Sequence, residues 1–124
     1  MVIDTSVLIA ILANEPDAEL FEAAIDANPV RLISAASVLE TAIVAGARFG
    51  DTGGREVDLL LYKAEIQIAA GRHAAALNFG DCFSYALART SGEPLLFKGN
   101  DFSRTDVVIA SCRFGGQAAR LPLV

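Results

Sequence analysis

The first ten residues limit what this chain can fold into more than any other stretch. Residues 1–3 (Met-Val-Ile) form a short apolar run, Asp4 follows it, and Thr5 and Ser6 precede a second apolar run at 7–10. So short an apolar strand belongs inside a sheet, which places the carboxylate of Asp4 between two hydrophobic segments. A buried carboxylate is costly unless a metal ion, a basic side chain or a helix N-terminus compensates its charge. The rest of the sequence has to supply that partner.

Length and composition indicate one globular domain. We expect a single domain over all 124 residues, with a tail of uncertain structure at 111–124. The hydrophobic fraction is 53%, but no apolar run reaches the roughly 18 residues that a membrane helix needs. No signal-peptide pattern precedes the first strand, and Cys82 and Cys112 lack metal-site or redox spacing, so we expect a cytoplasmic protein without membrane contact. The net charge of −5 argues against binding nucleic acid by bulk charge alone, but an acidic metal site would itself contribute that sign.

Strand and helix patterns alternate along the chain. Short apolar runs predict strands at 1–3, 31–33, 65–69, 94–97 and 107–109. Helical spacing and capping residues predict helices at 5–12, 17–27, 35–49, 53–63 and 78–91. Residues 70–77 fit either a loop or the start of a helix. The order predicts an α/β protein of three layers, with a central parallel sheet flanked by helices on both faces.

Four acidic residues can meet at one end of this sheet. Ligands bind at the carboxyl ends of the strands in an open parallel sheet, and Asp4 and Asp101 each follow a predicted strand. Glu40 lies in an otherwise apolar helix, and Asp81 lies in the first turn of another. Four carboxylates in one crevice repel one another unless a hard divalent cation binds them. Since no histidine or cysteine cluster is present, Mg²⁺ is the expected ion, with Mn²⁺ as a substitute.

Each acid also has a structural explanation. Three of them fit the ordinary roles of a helix cap, a first-turn acid and a turn residue: Asp4, Asp81 and Asp101. Glu40 could be a solvated helix residue, although the apolar neighbours Leu39 and Ile43 leave it only a narrow exposed face. The site hypothesis rests on the joint pattern, because the structural explanation needs four separate coincidences.

Four segments resemble the PIN domain of VapC-type toxins, in the family's order and over nearly the whole chain. They are Val2-Ile3-Asp4-Thr5-Ser6 and the stretches 34–40 (SAASVLE), 77–88 (LNFGDCFSYALA) and 95–102 (LLFKGNDF). The resemblance implies an Mg²⁺-dependent endoribonuclease of a type II toxin–antitoxin system. Matched residue by residue, the family's acidic quartet falls on Asp4, Glu40, Asp81 and Asp101. Thr5 or Ser6 matches the hydroxyl beside the first acid, and Asp106 matches an acid near the site that we expect to be a secondary metal ligand.

The same resemblance implies partners and chemistry. A VapB-like antitoxin is expected to neutralise the protein, with a basic side chain facing the acids, and the protein is expected to form a homodimer. A metal-activated water would hydrolyse RNA to 5′-phosphate and 3′-hydroxyl ends, on a tRNA, rRNA or mRNA that the sequence does not identify. The basic residues nearest the motifs are candidates for holding the RNA backbone, although solvated or partner-facing roles are equally open to them: Arg72, His73, Lys98 and Arg104.

One departure from the family leaves a second hypothesis open. The family usually has a further helix between the strand at 65–68 and the segment at 71–73, whereas here Ile68 is followed almost at once by Gly71. Either that helix is deleted or its residues are missing from the chain. The alternative function is therefore a catalytically impaired PIN domain that acts as a protein- or RNA-binding module. Receiver domains and haloacid-dehalogenase-like phosphatases fit poorly, because Thr5 and Ser6 stand where those folds need a further acid.

Overall fold

A parallel sheet forms the centre of the protein. The computed structural model describes residues 1–69, 81–99, 102, 105–110, 112–114 and 117–119. Four strands, β1 (Val2–Ile3), β2 (Leu32–Ser34), β3 (Gln67–Ala69) and β4 (Leu95–Leu96), lie in the order β3-β2-β1-β4. Every pair in this sheet is parallel, as the alternation of strands and helices predicted.

Helices connect the strands and cover the sheet. They are α1 (Thr5–Leu12), α2 (Ala18–Asp26), α3 (Ala35–Phe49), α4 (Gly53–Lys63) and α5 (Asp81–Ser91), with a short 3₁₀ turn at Gly50–Thr52 between α3 and α4. The predicted cap Asn78 of the last helix lies outside the described residues. A Cβ atom at Gly53 would collide with the backbone of Ala45, so α4 can pack this closely on α3 only with glycine at that position.

The two faces of the sheet carry two separate cores, because successive strand residues point in opposite directions. Ile3 belongs to the larger core, which includes buried residues of α1, α2, α3 and α4 such as Leu8, Phe21 and Val57. Val2 belongs to the smaller core, where Leu87 of α5 is a member. The predicted arrangement of helices on both faces is confirmed.

The C-terminal region departs from the sequence prediction. The strand predicted at 107–109 is reduced to one parallel bridge between Leu95 and Ile109. The side chains of Val108 and Ile109 are 69% and 57% exposed, so little burial is available to extend the pairing. Beyond it, β5 (Cys112–Phe114) and β6 (Gln117–Ala119) form an antiparallel pair that the sequence did not predict, and β5 contacts α2. Among the described residues, no helix is long and apolar enough to cross a membrane.

Candidate active site

Asp4 lies where β1 ends and α1 begins, and it caps the helix. Its Oδ2 accepts hydrogen bonds from the Ser6 backbone N–H at 3.0 Å and from Ser6 Oγ at 2.7 Å. The residue is only 4% exposed. The structural explanation for Asp4, an N-cap, is therefore correct, but a cap engages one carboxylate oxygen and leaves the other for a second role.

The other oxygen of Asp4 is bound by a hydroxyl from the opposite side of the sheet. Ser84 Oγ of α5 donates to Asp4 Oδ1 at 2.6 Å. Ser84 Oγ also lies 3.3 Å from Ser37 Oγ, which accepts from Ser34 Oγ at 2.8 Å. Both Ser37 and Ser84 are fully buried. This hydroxyl network, defined by Ser34, Ser37, Ser84 and Ser6, fixes the orientation of the Asp4 carboxylate.

Every described partner of Asp4 is electrically neutral. Ser6 and Ser84 are its hydrogen-bond donors, and it forms no salt bridge with any cation among the described residues. Hydrogen bonds hold the carboxylate but do not cancel its charge. A cation that binds there would find a carboxylate that is already oriented.

Glu40 approaches the same site from α3. Thr5 Oγ1 lies 3.1 Å from Glu40 Oε2 and 3.2 Å from the Ser37 carbonyl, and it can donate to either. Because Thr5 directly follows Asp4, this contact links the two acids across 35 residues of sequence. Glu40 is half-buried. The prediction that apolar neighbours narrow the exposed face around Glu40 is wrong, however, since Leu39 and Ile43 are 63% and 64% exposed.

The two acids line a shared cleft with a volume of about 300 Å³. Its walls combine polar, acidic, basic and apolar side chains: Asp4, Thr5, Ser6, Ile9, Glu15, Glu40, Val44, Arg48 and Lys98. Carboxylate and hydroxyl oxygens are the ligands that Mg²⁺ and Mn²⁺ prefer. The donors that Asp4, Glu40 and Thr5 bring to this cleft therefore suit such an ion. Within the described part of the chain, no three histidine, cysteine or acidic side chains come close enough to form a complete metal site.

The structure describes the other predicted acids less completely. Asp81 is the first residue of α5. Asp101 lies outside the described residues, as do Arg72, His73 and Arg104. The participation of Asp81 and Asp101 in the site stays a prediction.

Asp106 is found in a different setting. It is not among the residues that line the cleft. Its carboxylate accepts a hydrogen bond from Tyr85 Oη at 2.8 Å and lies 3.3 Å from the Arg89 guanidinium. The hydrogen bond from Tyr85, with a smaller contribution from the charge of Arg89, holds the pKa of Asp106 below its ordinary value. The structure therefore shows Asp106 in an exposed cluster with Tyr85 and Arg89, and its role as a secondary metal ligand stays a prediction.

Lys98 is bound by acids that the sequence analysis did not single out. Its Nζ forms salt bridges with Glu15 and Asp17, the latter at 3.0 Å. The hydrogen bond to Glu15, together with the one to Asp17, raises the pKa of the Lys98 ammonium above its ordinary value. Its backbone N–H donates to Ser6 Oγ at 3.1 Å, so Lys98 ties the segment after β4 to the cap of α1. A lysine held in this way is poorly placed to bind an RNA phosphate.

Besides Glu15, several polar residues of the site were not predicted from the sequence. Ser37 and Ser84 gave no signal, because a serine in an apolar helix pattern looks like any small helix residue. Arg48 lies on α3 four residues beyond Val44 and eight beyond Glu40, and all three line the cleft. That spacing could have revealed Arg48, since residues four apart share a helix face.

Comparison with known proteins agrees with the geometry. The family model described as PIN domain matches residues 1–108. Ribonuclease VapC30 of Mycobacterium tuberculosis is 54% identical over 125 residues, which cover 86% of this chain and 95% of the relative. Ribonuclease VapC of Mycolicibacterium smegmatis is 55% identical over 125 residues, covering 86% of this chain and 97% of the relative. The chain belongs to the PIN-domain family. Within it, the chain is a member of the VapC ribonuclease toxins, as the four sequence segments predicted.

A solved structure supports the fold. The crystal structure of Mycobacterium tuberculosis VapC20, described as a "Sarcin-Ricin loop cleaving toxin", matches with a TM-score of 0.68 and covers 86% of this chain and 95% of that one. At 18% sequence identity this likeness shows a shared fold.

The relatives also bear on the departure after Ile68. The alignment with VapC30 runs over 125 residues although only 86% of this 124-residue chain takes part. The relative therefore has residues inside the matched segment that have no counterpart here. That these residues form the further helix expected between the strand at 65–68 and the segment at 71–73 stays a prediction.

Proposed function

We propose that this protein is the toxin of a VapBC-type toxin–antitoxin system and acts as an Mg²⁺-dependent endoribonuclease. The observation that carries the proposal is the state of Asp4. Its carboxylate is buried, oriented by two hydroxyls and one backbone N–H, and paired with no described cation. The role of helix cap explains the hydrogen bonds to Oδ2, but it does not explain the buried hydroxyl of Ser84 that orients Oδ1.

Asp4 and Glu40 are the described residues that would hold the metal ion, with Asp81 and Asp101 as the further predicted ligands. A divalent cation at this position would lower the pKa of a water molecule and stabilise the charge that develops on the phosphodiester. The neighbouring residues of the chain would hold these ligands in position. Ser84 and Ser6 fix Asp4, and Thr5 fixes Glu40, so the ligands are oriented before the substrate arrives.

Family membership supports the remaining parts of the proposal. We propose a VapB-like antitoxin as the partner, RNA as the substrate, a homodimer as the assembly and the cytoplasm as the location. Hydrolysis would leave 5′-phosphate and 3′-hydroxyl ends. The single histidine, His73, has no part in this mechanism, because metal-assisted hydrolysis does not need it as a base.

The test is a cleavage assay with antitoxin-free protein on a mixed pool of RNAs, with Mg²⁺ and with EDTA. We expect cleavage with Mg²⁺, and none with EDTA. Cleavage that persists in EDTA would overturn the metal-dependent mechanism. RNA binding without cleavage in Mg²⁺ would instead support the catalytically impaired binding module.

A further inference from the structure

The two basic side chains that line the cleft, Lys98 and Arg48, have different surroundings. The ammonium of Lys98 is held between Glu15 and Asp17. Arg48 is exposed and forms no salt bridge with any carboxylate in the described part of the chain. A phosphate that enters the cleft therefore meets one cation that is already neutralised and one that is free to bind it.

The position of Arg48 relative to the acids follows from the geometry of α3. Glu40, Val44 and Arg48 are spaced by four residues and line the cleft as one stripe of the helix. Since a helix rises 1.5 Å per residue, the Cα atoms of Arg48 and Glu40 are about 12 Å apart along the axis. No salt bridge joins Arg48 to Glu40, and the two residues line the same cleft about two helical turns apart.

The negative charge of the cleft favours a cation at the position of Arg48. The protein has a net charge of −5, and the described acids of the cleft include Asp4, Glu15 and Glu40. Such a surface repels an RNA backbone outside the immediate reach of a bound cation. A guanidinium at the rim can offset that repulsion, because its planar array of N–H donors binds two phosphate oxygens at once.

We propose that Arg48 binds a phosphate of the RNA next to the one that is cleaved, and so sets how the strand lies across the acids. This inference rests on the proposed ribonuclease function and adds a substrate-binding residue to it. Arg48 is not a metal ligand. Its contribution is to substrate affinity.

The competing explanation is structural. Arg48 lies in the last turn of α3, where a cation interacts favourably with the helix dipole. That role would change the thermal stability of the protein and leave RNA binding unaltered. The two explanations therefore predict effects on different measurements.

The experiment compares Arg48→Ala with Arg55→Ala in the full chain. Arg55 is an exposed arginine on α4 that does not line the cleft, so its replacement removes the same charge at another place. The probe is a fluorescein-labelled single-stranded RNA of mixed sequence. For Arg48→Ala we expect KM to rise about tenfold with kcat within about twofold of wild type, since one charged hydrogen-bonding contact is lost from substrate binding. Arg55→Ala should match the wild type, and Arg48→Lys should recover part of the affinity.

Binding measured by fluorescence anisotropy in EDTA separates this inference from the proposed function. Loss of one phosphate contact should weaken binding and reduce the slope of log K against log salt by about 0.7 for Arg48→Ala only. If the wild type binds RNA but never cleaves it, the proposed function fails while anisotropy still decides the role of Arg48. Equal binding by Arg48→Ala and Arg55→Ala, with a lower melting temperature for Arg48→Ala, would overturn the inference in favour of the helix-dipole role.

Discussion

Asp4 and Asp106 are two aspartates that the sequence placed near one site, and the structure treats them in opposite ways. Asp4 is 4% exposed, and its hydrogen-bond donors among the described residues are all neutral. Asp106 is exposed and has both a phenol and the guanidinium of Arg89. The charge of Asp106 is thus compensated by a cation and by water, whereas the charge of Asp4 is stabilised by the N-terminus of α1 and by hydrogen bonds, with no described cation beside it.

This difference supports the proposal that Asp4, and not Asp106, binds a metal ion. A buried carboxylate with no cation beside it carries a desolvation cost that a bound cation would reduce. An exposed acid in an ion pair carries no such cost and contributes little to stability. Substitutions at the two aspartates and at the residues around them test this contrast.

The largest effect is expected for Asp4→Asn, and an equal one for Asp81→Asn if Asp81 joins the site. Losing a metal ligand removes several kcal/mol of transition-state stabilisation, which corresponds to a cleavage rate lower by on the order of 10³-fold or more. Circular dichroism should show an intact fold, and Mg²⁺ should raise the melting temperature of the wild type but not of Asp4→Asn. Glu22→Gln, an exposed acid on α2, is the control. Undiminished Mg²⁺-dependent cleavage by both Asp4→Asn and Asp81→Asn would rule out the quartet assignment.

Ser84→Ala tests whether orientation of Asp4 matters as well as its presence. The change removes the donor to Asp4 Oδ1 from a fully buried position. Hydrogen bonds to charged groups contribute about 1.5–3 kcal/mol, so we expect a cleavage rate about tenfold lower or more and weaker Mn²⁺ binding in a titration. Ser91→Ala, on the same helix but exposed, should behave like the wild type. Equal rates for the two variants would show that the hydroxyl network is dispensable.

Lys98→Ala should have a moderate effect. The Lys98 side chain is 37% exposed, and exposed ion pairs contribute about 0–1 kcal/mol. We therefore expect a fall of about twofold to fivefold in kcat through loosening of the segment bonded to Ser6, with KM unchanged. Lys98→Arg should restore most of the rate. A rise in KM together with a smaller salt dependence of RNA binding would instead support Lys98 as a phosphate-binding residue, as the sequence suggested.

The smallest effect is expected for Asp106→Asn. The cleavage rate should stay within about twofold of wild type, since Asp106 does not line the cleft. Its pKa is lowered in the folded protein, so any stabilisation it gives is present at neutral pH and is lost as the pH falls below about 4, the ordinary range of an aspartate. Chemical denaturation of wild type and variant at pH 7 and pH 3 would reveal that pattern. Loss of Mg²⁺ binding in Asp106→Asn would instead support Asp106 as a metal ligand.

Local signals predicted most of the fold. Three helices have the predicted bounds, namely α1, α3 and α4. The caps explain this agreement for α1 and α3, because Asp4 and Ser34 each bond a backbone N–H in the first turn, and Gly50 has a φ of +76° that ends α3. The strand at 107–109 was predicted too long, because pairing at the edge of a sheet depends on what lies beside it and not on its own apolar residues.

The candidate site was predicted only in part, because its contacts join residues that lie far apart in the sequence. Asp4 was predicted from the rule that parallel sheets bind ligands at the carboxyl ends of their strands, and Glu40 from its place in an apolar helix and the resemblance to the PIN domain. The contacts that orient them could not be predicted. Ser37 and Ser84 are 47 residues apart in sequence, and Lys98 is 83 residues from Glu15.

The class of fold, the ends of three helices and the chemistry open to a cluster of acids could therefore be read from the sequence, because caps, periodicity and side-chain type act over a few residues. Three findings came from the structure alone: the described partners of Asp4 are neutral, Asp106 lies with Arg89 on the surface, and Arg48 is the cation of the cleft without a described carboxylate partner. These facts depend on which distant side chains meet, and packing of the helices across the sheet sets those meetings.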